Sequence, residues 1–148
     1  MTEQTQQMNR FLVNVFNDIL RLEECNVRSS GCKNLSVTEL HVLEAVQNAA
    51  TQGAASMAGV AQQLGVTAST LTTAVKTLEA KGYVRREKDE QDKRRTNVCV
   101  TDAAKPALAQ HTAFHAQLVA GVERRLNTQQ LDTLCMALGT LHDFFKTL

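Results

Sequence analysis

Tryptophan is missing from this chain of 148 residues, and it holds one tyrosine and one proline. Proline is the strongest helix breaker, so its scarcity leaves long helices possible almost everywhere except near Pro106. No run of about 18 apolar residues occurs, which excludes a membrane-spanning helix. The opening MTEQTQQMNR lacks the basic and apolar regions of a secretory signal, so the expected location is the cytoplasm. The four cysteines, Cys25, Cys32, Cys99 and Cys135, form no CxxC pair, which argues against a zinc knuckle or a disulfide framework. Reduced thiols are expected. Cys99 and Cys135 lie in apolar patterns and read as core, whereas Cys25 and Cys32 lie near a helix end and read as exposed. A Gly-rich phosphate loop, an HExxH pair and a GxSxG elbow are all absent, and Cys32 with His41 has no third orienting group. The sequence is not that of an enzyme.

Charge of one sign is also lacking overall. Sixteen basic and fifteen acidic side chains leave a net charge of +1, so the chain is no bulk polycation. The distribution is uneven, however. Residues 81–95 hold Lys81, Arg85, Arg86, Lys88, Lys93, Arg94 and Arg95 against Glu87, Asp89, Glu90 and Asp92. A nucleic-acid footprint depends on such local concentration rather than on total charge.

Apolar residues at Met8, Phe11, Leu12, Val15, Phe16, Ile19, Leu20 and Leu22 recur three and four apart, which predicts an amphipathic helix over 8–28. Ser29, Ser30 and Gly31 end it. Ser36 with Glu39 fits a capping box for a second helix reaching about Asn48. Ser56 opens a short third helix to Leu64. Gly65-Val66-Thr67 is a turn, Thr67 caps a fourth helix over 68–81, and Gly82 ends it. The period then changes from 3.6 to 2. Tyr83–Arg86 and Asn97–Val100 read as antiparallel strands around a ten-residue charged tip, Glu87–Thr96. Thr101 opens a long helix through Leu126 with Pro106 near its first turn, where proline is tolerated. Asn127 with Gln130 resembles a cap for a last helix over 128–146.

This order, α-α-α-α-β-β-α-α, predicts a mainly α fold: a winged helix-turn-helix flanked by helices from both chain ends. One domain over 1–148 is expected, with a winged lobe at 35–101. The terminal segments 1–30 and 102–148 carry apolar stripes too long for so small a module. They are expected to form a dimerisation region.

In the fourth helix Leu71, Ala74, Val75 and Leu78 form the core face. Ser69, Thr70, Thr72, Thr73, Lys76 and Thr77 are left outside. Small hydroxyl residues let a helix lie close in the major groove, and a threonine methyl can pack on a thymine methyl. With no Arg, Asn or Gln on this helix, weight shifts to the wing and to DNA shape. There Arg86, Lys93, Arg94 and Arg95 are the candidate contacts, and Asp92 is placed to support an arginine entering the minor groove. His111 and His115, four apart on the fifth helix, share a face. With His41 on the second helix and Glu23 and Glu24 near the end of the first, they would form a polar cluster, either structural or ligand-lining, or a tetrahedral zinc site with Glu24 as the carboxylate.

The Val66–Gly82 segment, Gly82-Tyr83-Val84, Asp92-x-Arg94 and Thr101 together resemble the MarR family of winged helix-turn-helix regulators. The resemblance covers nearly the whole chain. It implies a homodimer whose two lobes straddle a palindromic site on double-stranded DNA, with Thr70, Thr72, Thr73 and Lys76 facing the major groove and Arg94 and Arg95 on the wing. The stretches NDILRLEE (17–24), LSVTELH (35–41), STLTTAV (69–75), EQDKR (90–94) and HTAFH (111–115) are most similar to repressors of fatty acid synthesis genes within that family. That resemblance implies control by a long-chain acyl ligand carried on acyl carrier protein. The acyl chain would lie among Phe16, Leu20, Leu40, Val42, Phe114 and Leu118, with Glu24, His41, His111 and His115 beside it. No other cofactor and no membrane contact are implied. A zinc-responsive member of the family offers the alternative, with Glu24, His41, His111 and His115 as ligands, although Cys32 lies closer to His41 than its second site requires.

Overall fold

Thr2 starts the first helix five residues before the apolar stripe begins. In the computed structural model, which describes residues 1–53 and 55–148, helix α1 spans Glu3–Ser29 and the Thr2 hydroxyl accepts from Thr5 N–H at 3.2 Å. The segment EQTQQ has no stripe to betray it, but Glu and Gln are good helix formers.

The remaining elements follow the expected order. Helix α2 spans Val37–Thr51, α3 Met57–Leu64 and α4 Ala68–Ala80; strands β1 and β2 span Val84–Lys88 and Thr96–Val100; α5 spans Lys105–Glu123 and α6 Thr128–Phe145. The α2 capping box is present on both sides: Ser36 N–H donates to Glu39 Oε2 at 3.0 Å, and Glu39 N–H to Ser36 Oγ at 3.1 Å. Asn127 and Gln130 form the same device for α6.

Three boundaries differ from the sequence expectation. The strands pair through Lys88↔Thr96, so the tip shrinks to residues 89–95. The paired residues there are charged or polar, which hid the strand from an apolar-alternation reading. Second, Thr101 precedes a single 3₁₀ turn, Asp102–Ala104, and α5 begins only at Lys105. Pro106 is then its second residue, where a missing N–H leaves nothing unpaired. Third, α5 stops at Glu123 rather than Leu126. A further pairing was not legible: Ser56 bridges Asn97, and Val98 N–H donates to Ala55 C=O at 3.0 Å. The wing is thereby tied to the start of α3.

The chain divides into two compact units, Met1–His111 and Thr112–Leu148. The first has the core: Leu40, Leu43 and Val46 of α2, Val60 of α3, Leu71, Val75 and Leu78 of α4, and Val98 of β2 are all fully buried. Helix α1 buries only Glu23 and Val27, and Met8, Phe11, Leu12, Val13, Phe16 and Ile19 stay exposed. In the second unit α6 buries none of its residues, and Met136, Leu138, Phe144 and Phe145 are exposed. Each stripe is too apolar to be left in water by chance.

The cysteines differ from expectation at Cys135, Cys99 and Cys32. Cys135 is exposed rather than core, because all of α6 lacks a buried face; Cys99 is half-buried on the wing. Cys25 is exposed, and Cys32 is half-buried against the core. Among the described residues no helix is long and apolar enough to cross a membrane.

Candidate nucleic-acid interface

Helices α3 and α4 meet at a tight turn built by local chemistry. Gly65 closes α3 at φ +67°, a left-handed conformation that favours glycine. Two residues on, Thr67 Oγ1 accepts from Thr70 N–H at 3.2 Å and opens α4. Leu71, Val75 and Leu78 then anchor one face of α4 in the core, with Ala74 half-buried beside them. The opposite face carries Ser69, Thr70, Thr73, Lys76 and Thr77, all exposed, and Thr72, half-buried.

The end of α4 and the base of the wing are fastened to the rest of the lobe. Lys81 Nζ donates to both Glu39 oxygens, at 2.8 and 3.0 Å, and to Asn34 C=O at 2.6 Å. Partial burial pushes the Glu39 carboxyl up, but Lys81 and Ser36 outweigh it and hold the group below its ordinary value. Tyr83 hydroxyl donates to Asn34 Oδ1 at 2.5 Å. Burial, and then the neighbouring Cys32 thiol, raise the Tyr83 pKa. The position of α4 and of the wing base is therefore set by the α1–α2 loop.

Two aspartates organise the wing tip. Asp89 Oδ1 accepts from Gln91 N–H at 2.8 Å and Asp92 N–H at 3.0 Å, and Asp89 Oδ2 accepts from Asn97 Nδ2 at 3.1 Å. Asp92 Oδ1 accepts from Arg94 N–H at 3.0 Å and Arg94 Nε at 3.1 Å. These donors hold both carboxyls below the ordinary range, the Asp92 N–H leading for Asp89 and the Arg94 guanidinium for Asp92. Asp92 thus pairs with Arg94, whose side chain stays 92% exposed. Asp89 was missed in the sequence; its turn-forming spacing to Gln91 was the signal available.

Between α4, α3 and the wing lies a groove of about 370 Å³. Thr72, Arg86, Arg94 and Arg95 line it together with Ser56 and Thr96. The sequence-selected residues Thr72, Arg86, Arg94 and Arg95 therefore converge. Lys76 and Lys93 are exposed but do not line the groove. Arg86, like Arg94, has a carboxylate partner: its guanidinium donates to Glu79 and holds the Glu79 carboxyl below its ordinary value.

A second polar cluster lies away from this surface, in the same unit. His41 Nε2 stands 3.3 Å from Glu23 Oε1, and His111 Nε2 stands 2.6 Å from Glu44 Oε2. The two imidazole rings are 5.7 Å apart. Glu23 and His111 are buried. Glu23, not Glu24, is the α1 carboxylate in this cluster, because Glu24 points to the exposed side, beside a groove lined by Val27, Arg28 and Leu35. Glu44, one turn beyond His41 on α2, was also missed. His115 follows His111 by one turn of α5. Of the apolar candidates, Leu40 and Val42 are buried in the core, Leu20 is half-buried and Phe16 is 63% exposed. Phe114, His115 and Leu118 belong to the second unit.

Residues 33–95 match the model of the MarR family. Among solved structures, the chain is similar to FabT of Streptococcus pneumoniae in complex with DNA: 28% identity, TM-score 0.87, covering 97% of this chain and 98% of that one. It shares its fold with MepR of S. aureus in a DNA complex, at 16% identity and TM-score 0.74, over 93% of this chain and 97% of the other. It also shares it with a mutant MarR from E. coli complexed with operator DNA, at 20% identity and TM-score 0.69, over 93% and 95%. A search of curated proteins finds no match.

Proposed function

We propose that the chain is a MarR-family winged-helix protein that acts as a sequence-specific DNA-binding repressor in the form of a homodimer. The observation that carries this reading is the basic groove in which α4 threonine and wing arginines converge. Lys76, Thr70 and Ser69 on the exposed face, with Lys93 at the tip, extend the same surface toward phosphates. The exposed stripes of α1 and α6 supply apolar surface for dimerisation. A dimer sets two recognition helices about one DNA turn, roughly 34 Å, apart and so demands a palindromic site.

As an effector, the polar cluster supports a divalent cation such as zinc. Glu23, His41, Glu44 and His111 offer imidazole nitrogens and carboxylate oxygens, the donor types zinc accepts. His115, on the same face of α5, is a further candidate ligand. Bound there, a cation would supply charge compensation between α1, α2 and α5. Each imidazole already meets a carboxylate, which orients the ring.

The likeness to FabT favours a second reading: regulation of fatty acid synthesis genes by long-chain acyl groups on acyl carrier protein. Phe16, Leu20, Phe114 and Leu118 are its candidate acyl contacts.

Fluorescence anisotropy with a palindromic duplex, with and without zinc or an acylated carrier, tests these readings together. Duplex binding whose strength responds to zinc alone supports the cation. A response to the acylated carrier alone supports the acyl reading, and no duplex binding removes both.

A further inference from the structure

The hydroxyl groups on the outer face of α4 are already engaged. Thr72 Oγ1 donates to Ala68 C=O at 2.8 Å, and Thr73 Oγ1 donates to Ser69 C=O at 3.1 Å. A hydroxyl carries one proton and two lone pairs, so each of these oxygens is left able only to accept. Back-bonding to the i−4 carbonyl also turns the oxygen toward the helix backbone. The γ-methyl is then the group each threonine offers outward. At the helix start, the hydroxyls of Ser69 and Thr70 lie 3.2 and 2.9 Å from Thr67 Oγ1, within the cap.

These commitments limit what α4 can read. Guanine presents only acceptors, N7 and O6, in the major groove, and a hydroxyl whose proton is engaged has nothing to give them. Helix α4 carries no Arg, Asn or Gln, and Lys76, its one side chain able to donate to guanine, stands one turn beyond Thr72 and Thr73. Thymine alone displays a methyl there. We propose that Thr72 and Thr73 read thymine 5-methyl groups through their own methyls, so that A·T is favoured over G·C at the steps beneath these two threonines. This deepens, and rests on, the DNA-binding reading above.

The test begins with duplexes selected by the full-length chain from a randomised library. Thymines in the selected half-sites are replaced by uracil, which removes only the 5-methyl. Wild type is expected to lose about four-fold in affinity per methyl contact, equivalent to ~0.8 kcal/mol for one buried CH₂. Thr73→Val and Thr72→Val keep the methyl and should lose less affinity than the matching serine variants. Thr73→Ser and Thr72→Ser keep the hydroxyl but should lose as much as the uracil duplex does, with no further loss on that duplex. Circular dichroism establishes that all four variants are folded. Half-sites rich in G·C, indifference to uracil, or a larger loss in the valine than in the serine variants would overturn the proposal. A wild-type chain that retains no duplex at low salt overturns the DNA-binding reading itself, and this proposal with it.

Discussion

Arg86 on β1 and Glu79 in the last turn of α4 are clamped together, the guanidinium donating to both carboxylate oxygens at 3.0 and 3.3 Å. The pair ties α4 to the wing strand that follows it. Arg86 is thereby employed within the lobe, whereas Arg94 extends almost fully into solvent.

The two arginines should therefore fail differently. Arg94→Ala is expected to reduce the slope of log K against log salt by about 1 per protomer, the signature of one lost phosphate contact. Arg86→Ala should weaken binding without changing the slope, and Glu79→Gln should resemble it. Equal slope losses in Arg86→Ala and Arg94→Ala would place Arg86 on phosphate instead.

Asp92→Ala should lower duplex affinity while leaving the urea midpoint close to that of the wild type. Its carboxylate only aims Arg94. Urea unfolding beside duplex titration separates the two effects, and a loss of stability matching the loss of binding would make Asp92 a folding residue.

The Glu39–Lys81 contact makes an acid-side prediction. The folded-state Glu39 pKa is depressed, so the native protein binds this proton less readily than the unfolded chain. Its stabilisation is complete above the unfolded carboxyl value of about 4.3 and is lost as pH falls through the lower folded value. Glu39→Gln should flatten the fall in urea midpoint between about pH 6 and pH 3 relative to wild type. Superimposable acid limbs would contradict it.

For the cation reading, calorimetric zinc titration of the chelator-treated chain should show binding that His41→Gln weakens strongly. Operator affinity should change on zinc addition by a coupling of about 5- to 150-fold. Binding unchanged in His41→Gln would take His41 out of the site.

The sequence showed most of the fold because capping and glycine signals are local. Ser36–Glu39, Thr67, Gly65 and Asn127–Gln130 each act within a few residues and stand where the spacing placed them. What escaped it was non-local or lacked an apolar signal. The Ser56–Asn97 bridge joins residues about forty apart. Glu23 and Glu24 are adjacent in sequence and differ only in which side of α1 they take, so a one-residue shift of helix phase exchanges buried for exposed. Cys135 shows the opposite failure: an apolar stripe marks a face that needs covering, but not whether its own chain covers it.

Duplex affinity of the full-length chain against salt concentration tests the central claim most directly. Two protomers per selected palindrome, with affinity falling at least about a thousand-fold between roughly 50 and 200 mM salt, is the expected result for six or more phosphate contacts. Salt-independent retention, or no retention at the low-salt end, would contradict a DNA-binding role for the groove between α4 and the wing.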